Sequence, residues 1–179
     1  MKKLLVLTVL LLATKTFAQD KAITKTGKIT FEASVPAFEE VKAKNEGVTC
    51  VLNVKTGEIA SLTLIKGFKF KLALMEEHFN ENYMNSDTYP KSTFKGKIQN
   101  FDVTALTATA KEYTIKGKLE LHGKTNDVTA TAKIRKTEAG IEIISNFNIN
   151  ASDYDIAIPS VVKSKVSNKV SVKTEFVLK

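Results

Sequence analysis

Along most of this chain apolar residues recur at every second position, and that rhythm restricts the fold more than any other feature. Successive side chains of a strand point to opposite faces, so alternation gives one apolar and one polar side. Ile29, Phe31 and Ala33 share a face, as do Val48, Cys50, Leu52 and Val54. Thr56-Gly57 signals a turn, and alternation resumes over 59–65 as the return strand of a hairpin. Phe68 and Phe70 alternate with lysines, and 93–98 reads as a further strand. Tyr113, Ile115, Leu119 and Leu121 form the next apolar face, followed by a break at His122-Gly123. Val128, Ala130, Ala132 and Ile134 follow, then a turn at Glu138-Ala139-Gly140. Ile141, Ile143, Phe147 and Ile149 continue the pattern, and Val170, Val172, Phe176 and Leu178 close it. The expectation is an all-β chain of about eight or nine antiparallel strands around a shared interior. A barrel and a sandwich both satisfy the spacing; about eight strands is the number at which a barrel can hold one small ligand.

One segment breaks the rhythm. Leu72, Met75, Phe79 and Tyr83 recur at three-to-four spacing, with Glu76, Glu77, Asn80 and Glu81 between them. This predicts one amphipathic helical insertion of about three turns, its carboxylates on the solvated face. The stretch 36–47 fits a loop, a short strand or a turn of helix. The triplets Lys95-Gly96-Lys97 and Lys116-Gly117-Lys118 are too short to count as a repeat.

The N-terminus reads as an export signal. Two lysines precede an apolar run from Leu4 to Ala13, and Thr16-Phe17-Ala18 forms a small-residue cleavage site. A run of about ten residues is too short to span a bilayer, which needs roughly twenty. The expectation is cleavage after Ala18, release into the periplasm, and one domain over 19–179. A domain of this length buries roughly two-thirds of its unfolded surface and needs no staples. Cys50, the only cysteine, cannot form an internal disulfide and reads as a small buried hydrophobe.

The chain carries a formal charge of +8, nearly all of its cations being lysine, with Arg135 the only arginine. Base readout and bidentate phosphate clamps draw on arginine, and no basic cluster or binding motif appears, so nucleic acid is excluded as a partner. Lysines fit a solvated face with transient contact to an anionic membrane surface. There is no phosphate-cradling glycine loop, HExxH, CxxC or nucleophile elbow. His78 and His122 lie on different elements. The residues point to no catalytic group, metal or cofactor.

The segment 68–98, FKFKLALMEEHFNENYMNSDTYPKSTFKGKI, resembles the central signature of the YceI-like family: a phenylalanine strand, a helix with a histidine, a tyrosine-proline step and a Thr-Phe strand. The matched residues are Phe68, Phe70, Leu72, Met75, His78, Phe79, Tyr89, Pro90 and Phe94. The run 117–129, GKLELHGKTNDVT, resembles the second signature through its Gly123, Thr125 and Val128 turn. Many family members also carry an Arg-x-Asp-Phe/Tyr-Gly pattern near the C-terminus. Here it reads Ala151-Ser152-Asp153-Tyr154-Asp155, with the arginine and the glycine replaced. The resemblance implies a lipocalin-like antiparallel barrel in the periplasm, with a long isoprenoid chain in an apolar tunnel.

The resulting expectation is a non-enzymatic carrier or scavenger of an apolar, isoprenoid lipid. Its candidate lipid-binding residues are Phe31, Phe68, Phe70, Leu72, Met75, His78, Phe79, Phe94, Leu121, Phe147 and Tyr154. Two alternatives stand beside it: an envelope stress or assembly interaction module with a filled core, and an enzyme acting on a lipid or quinone. Open strand edges would allow a homodimer.

Overall fold

The structure, a computed structural model, describes residues 20–179. The expected leader and its cleavage site after Ala18 lie outside the described residues. Nine strands and one short helix follow in order: β1 (Lys21–Ser34), β2 (Lys42–Asn53), β3 (Glu58–Leu64), β4 (Lys69–Phe70), α1 (Ala73–His78), β5 (Lys91–Ile98), β6 (Lys111–Leu121), β7 (Lys124–Thr137), β8 (Gly140–Asn150) and β9 (Val166–Leu178). The segment 36–47 resolves into a tight turn and the start of β2.

Every pairing is antiparallel between strands adjacent in the barrel, and β1 pairs with both β2 and β9. Eight strands therefore close into an up-and-down barrel, while β4 is a two-residue addition to the upper part of β2. Of the two architectures the alternation allowed, the barrel is realised. Closure also removes the long open edges on which a strand-pairing dimer would rest.

The up-and-down order sorts the connections by end. At one end lie the β2–β3, β5–β6 and β7–β8 turns; at the other lie the β1–β2, β3–β5, β6–β7 and β8–β9 connections. The first end is plugged. The β5–β6 loop folds Leu106 inward until it is buried, with Phe101 and Val103 packed against the same cluster. Above that plug Leu52, Ile98, Ile134, Ile143, Leu178 and Cys50 are almost wholly removed from solvent. Burial pushes the Cys50 thiol up to about 12, as an apolar surrounding disfavours the thiolate.

The two signature segments meet at the opposite end. Leu121 pairs with Lys124, leaving His122 and Gly123 as a two-residue hairpin loop, both with positive φ (51° and 75°). That is the geometry whose twist matches the flanking strands. The Tyr89 ring packs on this loop: it stacks edge-on with His122 at 4.6 Å, and a Cβ on Gly123 would lie 2.7 Å from it. The tyrosine-proline step and the glycine turn are thus two sides of one contact.

Candidate functional site

The barrel interior is filled at one end and hollow at the other, and the change occurs partway along individual strands. On β6, Tyr113 and Ile115 pack in the core, whereas Leu119 and Leu121 face a cavity. On β9, Phe176 and Leu178 are core, whereas Val170 and Val172 are wall; on β8, Ile143 is core, whereas Phe147 and Ile149 are wall. Between the halves lies a belt of small and polar residues. Ser145 and Thr174 are buried and share a 2.7 Å hydrogen bond, and Ser92 Oγ donates to the Glu120 carbonyl at 2.7 Å. Each of these three hydroxyls therefore has a hydrogen-bond partner inside an apolar interior.

On β5, Phe94 marks the level of the floor: it lies between Ser92, which lines the cavity, and Ile98, which is core, and it does not itself border the cavity. Gly96 and Gly117 pair directly across β5 and β6. A Cβ on either would meet the Phe94 ring at under 3 Å, at 2.7 Å from Gly96 and 2.6 Å from Gly117. The two glycines clear the space in which that ring lies, and the ring packs onto the closed-end core. The Lys-Gly-Lys triplets of the sequence are this paired gap.

Above the floor is a cavity of about 360 Å³. For scale, an apolar cavity of roughly 150 Å³ accepts benzene. Its lining is almost entirely hydrocarbon and aromatic. An aromatic group forms one wall: Phe31 of β1 lies 5.2 Å from Phe68, 5.8 Å from Phe70 and 5.3 Å from Phe79, and Phe70 lies 5.1 Å from Phe79. α1 brings Met75 and His78 to the cavity, and a wider π turn over Phe79–Tyr83 brings Phe79 and Tyr83. The helical segment spans 73–83, about the three turns its spacing predicts, and its last turn is widened where the Met84 N–H bonds back to the Phe79 carbonyl at 2.9 Å. Glu76 is not simply a solvated carboxylate. It accepts from Lys69 Nζ and from the Phe70 N–H at 3.3 Å, tying α1 to β4. The Lys69 ammonium holds its carboxyl below the usual range.

The structure brings Phe31, Phe68, Phe70, Met75, His78, Phe79, Leu121 and Phe147 together around the cavity and leaves three expected residues outside it. Leu72 precedes α1 and is 39 % exposed. Phe94 packs over the paired glycines and onto the core, below the cavity. Tyr154 is only 2 % exposed and serves as a wedge. Pairing between β7 and β8 stops at Thr131 and Asn146, so their upper parts diverge. A short 3₁₀ turn, Ala151–Tyr154, fills that gap. It is held by Asn126 Nδ2 donating to the Asp153 carbonyl at 2.6 Å, and by His122 Nδ1 at 3.0 Å from the Tyr154 carbonyl. Burial pushes the Tyr154 phenol above its ordinary value.

The two replaced positions of the C-terminal pattern fall in this turn. Ala151 lines the cavity where the pattern places an arginine, so the wall there is apolar. Asp155 takes the glycine's position at φ 54°, a left-handed conformation that aspartate tolerates, and its carboxylate pairs with Lys124 at 2.8 Å. The sequence reading missed the Ile156, Ile158 and Val162 side chains of the β8–β9 loop, which complete the wall near the mouth. The alternation in Ile156-Ala157-Ile158 was the available signal. Lys165 is the one cation and Glu39 the one carboxylate in the described lining. Among the described residues no three His, Cys, Asp or Glu side chains converge as a metal site would need.

The same architecture occurs in solved structures. A polyisoprenoid-binding domain from Saccharophagus degradans, implicated in plant cell wall breakdown, superposes with a TM-score of 0.70 at 14% identity, over 88% of this chain and 97% of that one. BcnA from Burkholderia cenocepacia gives 0.69 at 16% identity, over 83% and 94%. A Campylobacter jejuni YceI protein gives 0.61 at 16% identity, over 81% and 88%. At these identities the likeness shows the fold alone. No curated protein matches the sequence. The family model of the YceI-like domain, however, matches residues 14–178, which takes in every strand, the aromatic wall and the cavity; the chain belongs to the YceI-like domain family.

Proposed function

We propose that this protein is a periplasmic carrier or scavenger that holds an apolar lipid, an isoprenoid chain, in the hollow half of the barrel. One observation carries the reading: a cavity of about 360 Å³, walled by Phe31, Phe68, Phe70, Phe79 and aliphatic side chains, beside a core of the same residue types that is almost wholly removed from solvent. A chain whose interior were simply filled by its own side chains would not stop filling it halfway. Each methylene that leaves water contributes about 0.8 kcal/mol, so about a dozen carbons offer roughly 10 kcal/mol before ordering costs. No directional polar contact is needed for that. The Saccharophagus degradans domain of the same fold is described as polyisoprenoid-binding, which supports the choice of ligand class.

The test is export, purification, extraction with organic solvent and mass spectrometry, paired with titration of a prenyl alcohol in solution. A co-purifying prenyl lipid or saturable binding is expected. Absence of both would remove the proposal. The reading as an enzyme rests on His78, since His122 is engaged by the Tyr154 carbonyl and the Tyr89 ring. His78→Ala that abolished turnover of a lipid or quinone while preserving its binding would favour it.

A further inference from the structure

We infer that the open end of the barrel docks on an anionic phospholipid bilayer through the tips of the β1–β2 and β8–β9 loops, so that cargo enters from the membrane without crossing water; this rests on the reading of the cavity as a lipid site. The two tips are neighbours. Ser34 of β1 pairs with Val166 of β9, while the Ala33 N–H donates to the Val41 carbonyl at 2.9 Å and the Val41 N–H donates to Ser34 Oγ at 3.0 Å. Both loops are therefore held at one side of the mouth.

Each loop presents an apolar tip built by local geometry. In the β1–β2 loop the Phe38 N–H donates to the Val35 carbonyl at 3.2 Å, closing a turn with Pro36 and Ala37 in its middle. Ala37 has φ 72°, a left-handed conformation that a residue with a Cβ adopts at a cost. That strain leaves Phe38 at the rim, 47 % exposed while still lining the cavity. Strain at a ligand mouth is where functional constraint shows. In the β8–β9 loop a 3₁₀ turn over Ser160–Val162 is closed by the Val162 N–H on the Pro159 carbonyl at 3.0 Å. It carries Val161 at its apex, 82 % exposed, the most exposed large hydrophobe among the described residues. Its neighbours Ile158 and Val162 line the cavity, so the apolar surface runs unbroken from the tip into the interior.

The charge of the β8–β9 tip suits an anionic lipid surface. From Ile156 to Asn168 the loop carries Lys163 and Lys165 and no acid, and neither lysine is ion-paired among the described residues. Glu39 and Glu40 lie on the facing loop, and Glu40 shares the Lys42 ammonium with Glu32, each at 3.6 Å. The two tips together are close to neutral, with the positive charge on the β8–β9 tip, so shallow apolar insertion supplies most of the binding, and phosphate contact at Lys163 and Lys165 orients it.

The chain contains no tryptophan, which makes a clean reporter available. Val161→Trp is placed at the apex, and Val177→Trp on the outer surface near the closed end serves as the control. Each is mixed with vesicles of phosphatidylethanolamine and phosphatidylglycerol in a three-to-one ratio. The proposal expects a blue shift and quenching by brominated lipid for Val161→Trp alone, with vesicle co-sedimentation weakened at least tenfold in Val161→Asp and less in Lys163→Glu. No shift at position 161, or equal shifts at both positions, overturns it. Prenyl alcohol binding is measured separately without vesicles. Lost docking with retained binding refutes this inference alone, whereas retained docking with no prenyl binding refutes the lipid-carrier reading.

Discussion

At the closed end of the barrel Leu52, Ile134, Ile143 and Leu178 are almost wholly removed from water, whereas a few residues further along the same walls Leu121, Phe147, Val170 and Val172 border an empty space. Both halves use aliphatic and aromatic side chains at alternate positions, so hydrophobicity does not distinguish them. Three other features do. The β5–β6 loop reaches into one end as a plug, while the longer connections at the other end form walls and rim. The facing glycines 96 and 117 make room for the Phe94 ring at the level where the packed core gives way to the cavity. The Ser145–Thr174 pair puts small polar side chains where larger apolar ones would fill the volume. A barrel can thus separate stability from binding by assigning each to one end.

That division predicts which substitutions damage which property. Leu52→Ala should cost about 3 kcal/mol of stability, the usual penalty for a cavity in a close-packed core, read as a lowered urea midpoint with an unchanged slope. Prenyl affinity in the surviving folded protein should stay within a factor of a few. Overpacking the same end with Ala132→Leu should cost about 2 kcal/mol, since Ala132 is wholly buried between Tyr113 and Ser145. Val172→Phe adds volume in the hollow half, across from Phe31. Its stability should change by less than about 1 kcal/mol while prenyl affinity falls about tenfold, or about 1.4 kcal/mol. Equal destabilisation by Ala132→Leu and Val172→Phe would erase the distinction between the halves.

The smallest effect lies outside both. Arg135 and Glu142 pair across β7 and β8 near the closed end, and the guanidinium holds the Glu142 carboxyl below its ordinary value of 4.5. A carboxyl with a depressed folded value stabilises above its unfolded value and loses that contribution as pH falls through the folded one. Glu142→Gln should therefore cost at most about 1 kcal/mol at neutral pH. The gap from the parent protein should shrink on acidification from about pH 5 downward, as followed by urea melts across pH.

How much of this was legible in the sequence follows from what alternation encodes. Period two states which residues face inward, and it placed Ile143, Val172 and Phe176 correctly on one interior. It does not state whether that interior is full, because Val172 and Phe176 obey the same rule on opposite sides of the floor. The floor depends on Gly96 meeting Gly117, a pairing between residues too far apart for local pattern to reveal. Tyr154 became a wedge because the β7–β8 ladder ends at Asn146, which is a property of the register rather than of the residue. Three-to-four spacing marks the helical segment but not the π turn after His78, where Phe79 stacks on Phe31.

The central claim is that lipid occupies one half of the barrel only, and methyl NMR tests it most directly. With isoleucine, leucine and valine methyls labelled, a prenyl alcohol is added in solution. Shift changes and intermolecular contacts are expected at Leu119, Leu121, Ile149, Val170 and Val172, with Leu52, Ile134, Ile143 and Leu178 unmoved. Contacts distributed over the outer surface, or a saturating titration that leaves the methyls of the hollow half in place, would contradict it.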